Sequence, residues 1–170
     1  MFRLDKDARI SYHISYRLDE RGTRQMEIIR VTTDEQLKEC LGVRKEVFVD
    51  EQNVPLELEI DELDASHQSG HHFLIREGGK AIAAARWKPF EENRAKLQRI
   101  AVLKANRGTG LGSVLVQAME AHAKELGYKG AVLDAQCQAE PFYKKIGYET
   151  IPGEPFDDAG IPHVRMVKSL

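Results

Sequence analysis

The chain has two cysteines in 170 residues, a single tryptophan, and no surplus of either charge: 25 Lys and Arg stand against 27 Asp and Glu, a formal net charge of -2. Cys40 falls in a segment patterned as a helix and Cys137 at the end of a strand pattern. That arrangement excludes a disulfide framework and makes both reduced thiols. Balanced charge leaves no electrostatic footprint for a nucleic-acid partner. No apolar run approaches the ~20 residues that span a bilayer, and Met1-Phe2-Arg3-Leu4-Asp5-Lys6 lacks the apolar stretch of a secretion signal, so a cytoplasmic protein without a membrane partner is expected. Metal-ligand spacing is also missing. His67, His71 and His72 cluster without Cys partners or a His-Glu-x-x-His pattern, so no metal is expected.

What is present is an ordinary globular composition, 42% hydrophobic and 31% charged, at a length that suits one domain. Ile10, Tyr12, Ile14, Tyr16 and Leu18 recur at period two, the mark of a half-buried strand, before the polar run Asp19 to Arg24 breaks it. Residues 1–25 therefore read as an N-terminal extension, an extra strand or flexible arm, ahead of a main domain at 26–170. Thr33-Asp34-Glu35-Gln36 is a capping-box pattern that predicts a helix from Asp34 to Phe48. From Asp50 to Asp64 the chain is acidic and without periodicity, which reads as an irregular or short helical segment at the surface. His71 to Arg76 and Ala81 to Trp87 flank Glu77-Gly78-Gly79-Lys80, the strongest hairpin signal present. A strand at Lys96 to Leu103 follows, then a helix at Gly110 to Leu126 with Leu111, Val114, Leu115, Ala118, His122 and Leu126 on one face. A strand at Ala131 to Ala135, a short helix at Pro141 to Ile146 and strands at Tyr148 to Ile151 and Val164 to Lys168 complete an α/β order, a mixed sheet covered by helices.

The chemistry concentrates where the third of these strands runs through Leu103-Lys104-Ala105-Asn106-Arg107 into Gly108-Thr109-Gly110-Leu111-Gly112 and a helix. A glycine-rich turn at a positive helix end presents backbone N–H groups to an anion and lets a diphosphate approach closely. Three nucleotide readings compete. A P-loop requires a Lys after its glycines, which is absent here. A dinucleotide site finds Gly108, Gly110 and Asp134, but its third glycine is displaced to Gly112 and a charged spacer separates strand from turn.

The third reading fits every position. Arg107-Gly108-Thr109-Gly110-Leu111-Gly112 resembles the Gln/Arg-x-x-Gly-x-Gly/Ala signature of the GNAT acetyltransferases, and Phe142-Tyr143-Lys144-Lys145-Ile146-Gly147-Tyr148 is similar to the family's Phe/Leu-Tyr-x-x-x-Gly-Phe/Tyr motif. Val43 to Val49, Glu51-Gln52-Asn53-Val54-Pro55, Asp61-Glu62-Leu63-Asp64, Ala135-Gln136 and Gly160-Ile161-Pro162-His163 resemble its small bacterial ElaA-like branch, over residues 26–170. The resemblance implies a central, mostly antiparallel twisted sheet with a parallel splayed pair, and acetyl-CoA as co-substrate. It implies that Ile100, Ala101 and Val102 pair by backbone with the pantetheine arm. Arg107, Gly108, Thr109, Gly110, Leu111 and Gly112 wrap the diphosphate, with Gln136 and Phe142 also contacting CoA; Gln136 stands where many members have Asn. The Ile100 N–H is the implied oxyanion donor, and Tyr143 the acid that protonates the departing thiolate. A phenol is chemically suited to that step.

The activity so implied is N-acetyl transfer from acetyl-CoA to a small-molecule or peptide amine, by direct attack in a ternary complex, in a monomer or homodimer. Glu51, Asp61 and His72 are the candidate bases. The acidic residues between Glu46 and Asp64 form a field that favours a cationic amine. A non-catalytic acyl-CoA sensor or interaction module is the alternative, and Tyr143 argues against it because a binder needs no acid there.

Overall fold

Thr33 lies in extended backbone (φ -136, ψ 155), and its hydroxyl accepts from the Gln36 N–H at 3.2 Å to start α1 (Asp34–Arg44). The reciprocal half of the cap is displaced by one residue, because Gln36 Oε1 accepts from the Thr32 N–H at 2.8 Å. The computed structural model describes residues 11–13 and 26–170, with residues 11–13 and Glu92 given by backbone alone. The described part of the N-terminal extension is β1 (Ser11–His13), which pairs antiparallel with β2 (Met26–Arg30). The rest of the expected alternating strand lies outside the described residues.

After α1 the chain continues helically past the expected Phe48 stop, but Lys45–Glu51 winds as a π-helix. Val47 on this segment and Val54 just after it are buried. α2 (Leu56–Glu59) and a 3₁₀ turn at Glu62–Asp64 follow, as expected of an irregular stretch. The expectation that this stretch lies at the surface holds for Leu56, Glu57, Leu58 and Glu62 but not throughout, since Glu59 is 3% exposed and Asp64 8%. Next come β3 (His71–Glu77) and β4 (Lys80–Phe90), joined through Gly78 (φ 57) and Gly79 (φ 80), two successive left-handed residues that a two-residue hairpin turn demands. β5 (Arg94–Val102) leads through the glycine turn to α3 (Leu111–Glu125). β6 (Gly130–Gln136), α4 (Glu140–Lys145), β7 (Glu149–Thr150), β8 (Phe156–Asp158) and β9 (Ile161–Ser169) complete the order. β8 has no periodic signal in the sequence, since all three of its residues are exposed. Leu126, expected on the apolar face, lies beyond the end of α3 and is 53% exposed.

Two compact units divide the chain, the first comprising the described residues up to 86 together with 99–118, the second 87–98 and 119–170. In the first, hydrogen-bonded neighbours run β1-β2-β3-β4, and Val31, Leu37, Cys40, Val43, Val47, Leu74, Ala84, Ala101 and Leu103 form the core. In the second the order is β4-β5-β6-β9-β7, with β8 on β9. Here β5 and β6 are parallel over Arg94–Leu97 and Gly130–Leu133, and the pairing stops there although both strands run on. β6 continues against β9 alone, antiparallel as far as Gln136↔His163. The fold is thus a mixed, mostly antiparallel sheet with helices and one parallel pair. Among the described residues no helix is long and apolar enough to cross a membrane, and no group of three or more His, Cys, Asp or Glu is placed to hold a metal ion.

Candidate active site

In the first unit, Arg99 takes a left-handed backbone (φ 55) within β5, immediately before Ile100. A non-glycine residue in that region costs about 1 kcal/mol or more and persists only where its surroundings fix it. The Arg99 side chain supplies the fixing: its Nε donates to the Glu59 carbonyl at 3.3 Å, its NH2 group to the Leu58 carbonyl at 3.1 Å, and it pairs with the Glu59 carboxylate at 3.0 Å. Arg99 therefore caps the last carbonyls of α2. This left-handed residue directly precedes Ile100, the residue expected to act through its N–H.

Beyond Val102 the Leu103 N–H is anchored on the Ile82 carbonyl at 2.9 Å, and Lys104–Asn106 forms a 3₁₀ turn. Gly108 (φ 76) and Gly110 (φ 85) then take left-handed conformations, and Thr109 Oγ donates to the Asn106 carbonyl at 2.6 Å. A Cβ at either glycine would meet nothing within 4 Å. Here the glycines answer a backbone requirement rather than internal crowding, and the space over them is open to a ligand. The Val114 N–H bonds the Gly110 carbonyl at 3.1 Å, so the N–H groups of Leu111, Gly112 and Ser113 precede the first intrahelical donor. These features fit a diphosphate at the end of a helix of 15 residues.

The candidate bases meet different fates. Glu51 receives both terminal nitrogens of Arg107, at 2.6 and 2.7 Å, and this ion pair holds its carboxyl below the usual range. Asp61 caps the 3₁₀ turn by accepting from the Leu63 N–H at 3.0 Å, and Arg86 binds both its oxygens. Burial pushes Asp61 up, but Arg86 outweighs it and leaves the group a weaker base than a free carboxylate. His72 is 1% exposed, and its Nε2 lies 2.9 Å from the Leu63 carbonyl, so Nε2 carries the hydrogen and Nδ1 a lone pair with no partner among the described residues. Burial lowers its pKa, which keeps the ring neutral. Leu63 thus joins Asp61 and His72 through its two backbone groups.

Sequence reasoning missed a buried charge network in this unit. Arg44, 1% exposed, donates from Nε to Glu59 Oε1 at 2.7 Å and grips Asp64 at 2.7 and 2.9 Å. Arg86 donates to Asp64 at 2.9 Å as well. The carboxylates of Glu59, Asp61 and Asp64 are therefore neutralised by Arg44, Arg86 and Arg99, which removes part of the acidic field expected of this segment. Burial raises Asp64, but the hydrogen bond and charge of Arg44 and the charge of Arg86 bring it to about 2, against 3.8 for the ordinary group. The unfolded chain thus takes up this proton first as pH falls. Its contribution of about 2 kcal/mol is complete above about pH 4 and is lost as pH drops through about 2. Urea denaturation across that window measures the loss, and Asp64→Asn is expected to flatten the profile. Equal slopes in both proteins would count against the assignment.

In the second unit, Pro141 opens α4 and Gly147 (φ 98) follows its end, fixing the helix that carries Phe142 and Tyr143. The Tyr143 ring packs edge-on against Phe142 (4.9 Å between centroids) and Tyr148 (5.9 Å). Burial raises its phenol to about 12, so it holds its proton at any neutral pH. Tyr148 is anchored behind it, its hydroxyl donating to Glu120 Oε1 at 2.8 Å while Lys168 binds the same carboxylate. Gln136 ends β6, its Oε1 accepting from Gln138 at 3.0 Å. Asp134, which a dinucleotide site would leave for ribose, is taken by Arg165 at 2.7 Å and Lys96 at 2.8 Å.

Residues 29–170 match the sequence model of the acetyltransferase (GNAT) domain. The chain belongs to the GNAT acetyltransferase family. This GNAT protein is 45% identical to an uncharacterized N-acetyltransferase of Bacillus subtilis, YjcF, over 84% of this chain and 99% of that one. Escherichia coli ElaA superposes with a TM-score of 0.72 at 25% identity, over 85% and 99% of the two chains. An acyl-CoA N-acyltransferase from Pseudomonas aeruginosa does so with 0.72 at 27%, over the same shares. PaiA N-acetyltransferase from Thermoplasma acidophilum, solved in complex with coenzyme A, shares the fold at 19% identity and TM-score 0.64, over 86% and 99%.

Proposed function

We propose that this GNAT acetyltransferase moves an acetyl group from acetyl-CoA to the amine of a small molecule or peptide by direct attack in a ternary complex. The observation that carries the reading is the Gly108–Gly110 turn, whose left-handed residues open backbone N–H groups at the start of α3. Bound acetyl-CoA would supply an activated thioester carbonyl. Ile100, Ala101 and Val102 then offer backbone to the pantetheine arm, and Arg107 to Gly112 surround the diphosphate, with Gln136 and Phe142 as further contacts. The Ile100 N–H, next to the left-handed Arg99, donates to the carbonyl oxygen as negative charge builds there, a contribution of ~3 kcal/mol for a pre-aimed donor.

Tyr143 gives its proton to the leaving sulfur. A phenol at about 12 is a weaker acid than free tyrosine, so transfer follows C–S cleavage rather than preceding it. Of the candidate bases, His72 is the one not ion-paired with an arginine, and its unbonded Nδ1 takes the amine proton directly or through water; Glu51 is paired with Arg107 and Asp61 with Arg86. Tyr143→Phe tests the assignment. Turnover is expected to fall by ~10² with CoA affinity unchanged, because the ring stays and the proton goes. The measurement is thiol release from acetyl-CoA across a panel of amines, amino acids, polyamines and peptides. Undiminished release in the variant would assign the proton to another donor.

A further inference from the structure

Between buried Leu103 and buried Leu111, the residues of the glycine turn are exposed except for half-buried Asn106. A donor-binding turn must nevertheless hold its N–H groups in fixed directions, and its internal bonds, Thr109 to Asn106 and Asn106 to Leu103, tie the turn to itself and to the end of its own strand. Arg107 is different. Its guanidinium reaches back to the Val102 carbonyl at 3.0 Å through Nε and sideways to both oxygens of Glu51. Glu51 in turn ends the π-helical segment, which is held in place by buried Val47 on one side and Val54 on the other. The chain reverses just after it, with the Asn53 N–H on the Val49 carbonyl at 3.1 Å and the Val54 N–H on the Phe48 carbonyl at 2.9 Å. Glu51 therefore stands on a fixed platform, and the bidentate pair is the geometry in which an arginine transmits position rather than charge alone.

We infer that Glu51 is a positioning residue of the donor site: through Arg107 it holds the glycine turn in the conformation that receives the diphosphate. The inference rests on the donor-site reading above. Three of the five guanidinium N–H groups are committed to Glu51 and Val102, which leaves two for a phosphate oxygen. The two simplest alternatives predict different signs. If Glu51 merely masked the charge of Arg107, removing it would strengthen anion binding. If Glu51 were the base, removing it would leave donor binding alone.

The test is calorimetric titration of the full chain with CoA, alongside amide exchange of residues 104–112. Glu51→Ala is expected to weaken CoA binding about tenfold, as loss of a charge-assisted pair implies, and to speed exchange in the turn while exchange in β2 and β3 stays the same. Glu51→Asp is expected to recover part of the affinity. In an Arg107→Ala background, Glu51→Ala is expected to cause no further loss. Unchanged or tighter binding in both Glu51 variants would overturn the inference while leaving the donor site standing. A wild-type chain that does not bind CoA would overturn both. Since the pair is exposed, with side chains 40% and 35% accessible, the variants are expected to fold, and a shared loss of thermal stability with intact affinity would make the pair structural only, contrary to the inference.

Discussion

Arg44→Ala is expected to destabilise the protein by about 3 kcal/mol, the lower part of the range for breaking a buried ion pair from one side. The variant leaves Glu59 and Asp64 in place without the guanidinium that donates to Glu59 Oε1, the Glu59 carbonyl and both Asp64 oxygens. Arg99 and Arg86 still face the two carboxylates, which is why the loss falls short of that for an unpaired buried charge. About 3 kcal/mol is a large part of the 5–15 kcal/mol that holds a typical domain folded. The urea midpoint measures it, and a loss under about 1 kcal/mol would show that water reaches these carboxylates in solution. A second consequence separates this from ordinary core damage. Arg44→Met restores the apolar stem but not the charge, so it should recover little of the stability.

Gly110→Glu is expected to weaken CoA binding by at least about 100-fold, because three effects add at one position. The backbone there has φ 85, where a side chain is strained by about 1 kcal/mol or more. The new side chain fills space that is otherwise open within 4 Å of the Cβ. Its charge also sits at the positive end of α3, where it competes with the diphosphate for the same N–H groups. Gly110→Ala isolates the first effect and should retain most of the binding if strain is minor. Titration with CoA decides it, and wild-type affinity in Gly110→Glu would place the donor elsewhere on the chain.

The features that the sequence displayed are those written in consecutive residues. Thr33 to Gln36 predict a helix start because a cap is a bond across three residues, and Gly78-Gly79 predict a hairpin because the turn needs two left-handed positions in a row. The glycine turn and the Phe142-Tyr143 helix were legible for the same reason. β8 was not, since none of its residues is buried and no alternation results. The π-helical winding of Lys45–Glu51 was also illegible, as its side-chain pattern does not differ enough from that of an α-helix.

The acidic segment from Asp50 to Asp64 marks the boundary between the two kinds of knowledge. Its composition alone suggests a solvated surface, and Asp50, Glu57 and Glu62 are indeed exposed. Glu59, Asp61 and Asp64 are instead buried or half-buried ligands of arginines, and Glu51 is the anchor of Arg107. By itself the sequence determined the family, the glycine turn and the tyrosine helix, because φ sign and capping are local properties of the chain. Which carboxylates remained available as bases was decided only by tertiary structure. Their partners lie from 15 residues away, for Arg44 and Glu59, to 56 away, for Glu51 and Arg107, and whether such charges meet depends on where the fold brings the strands and turns that carry them.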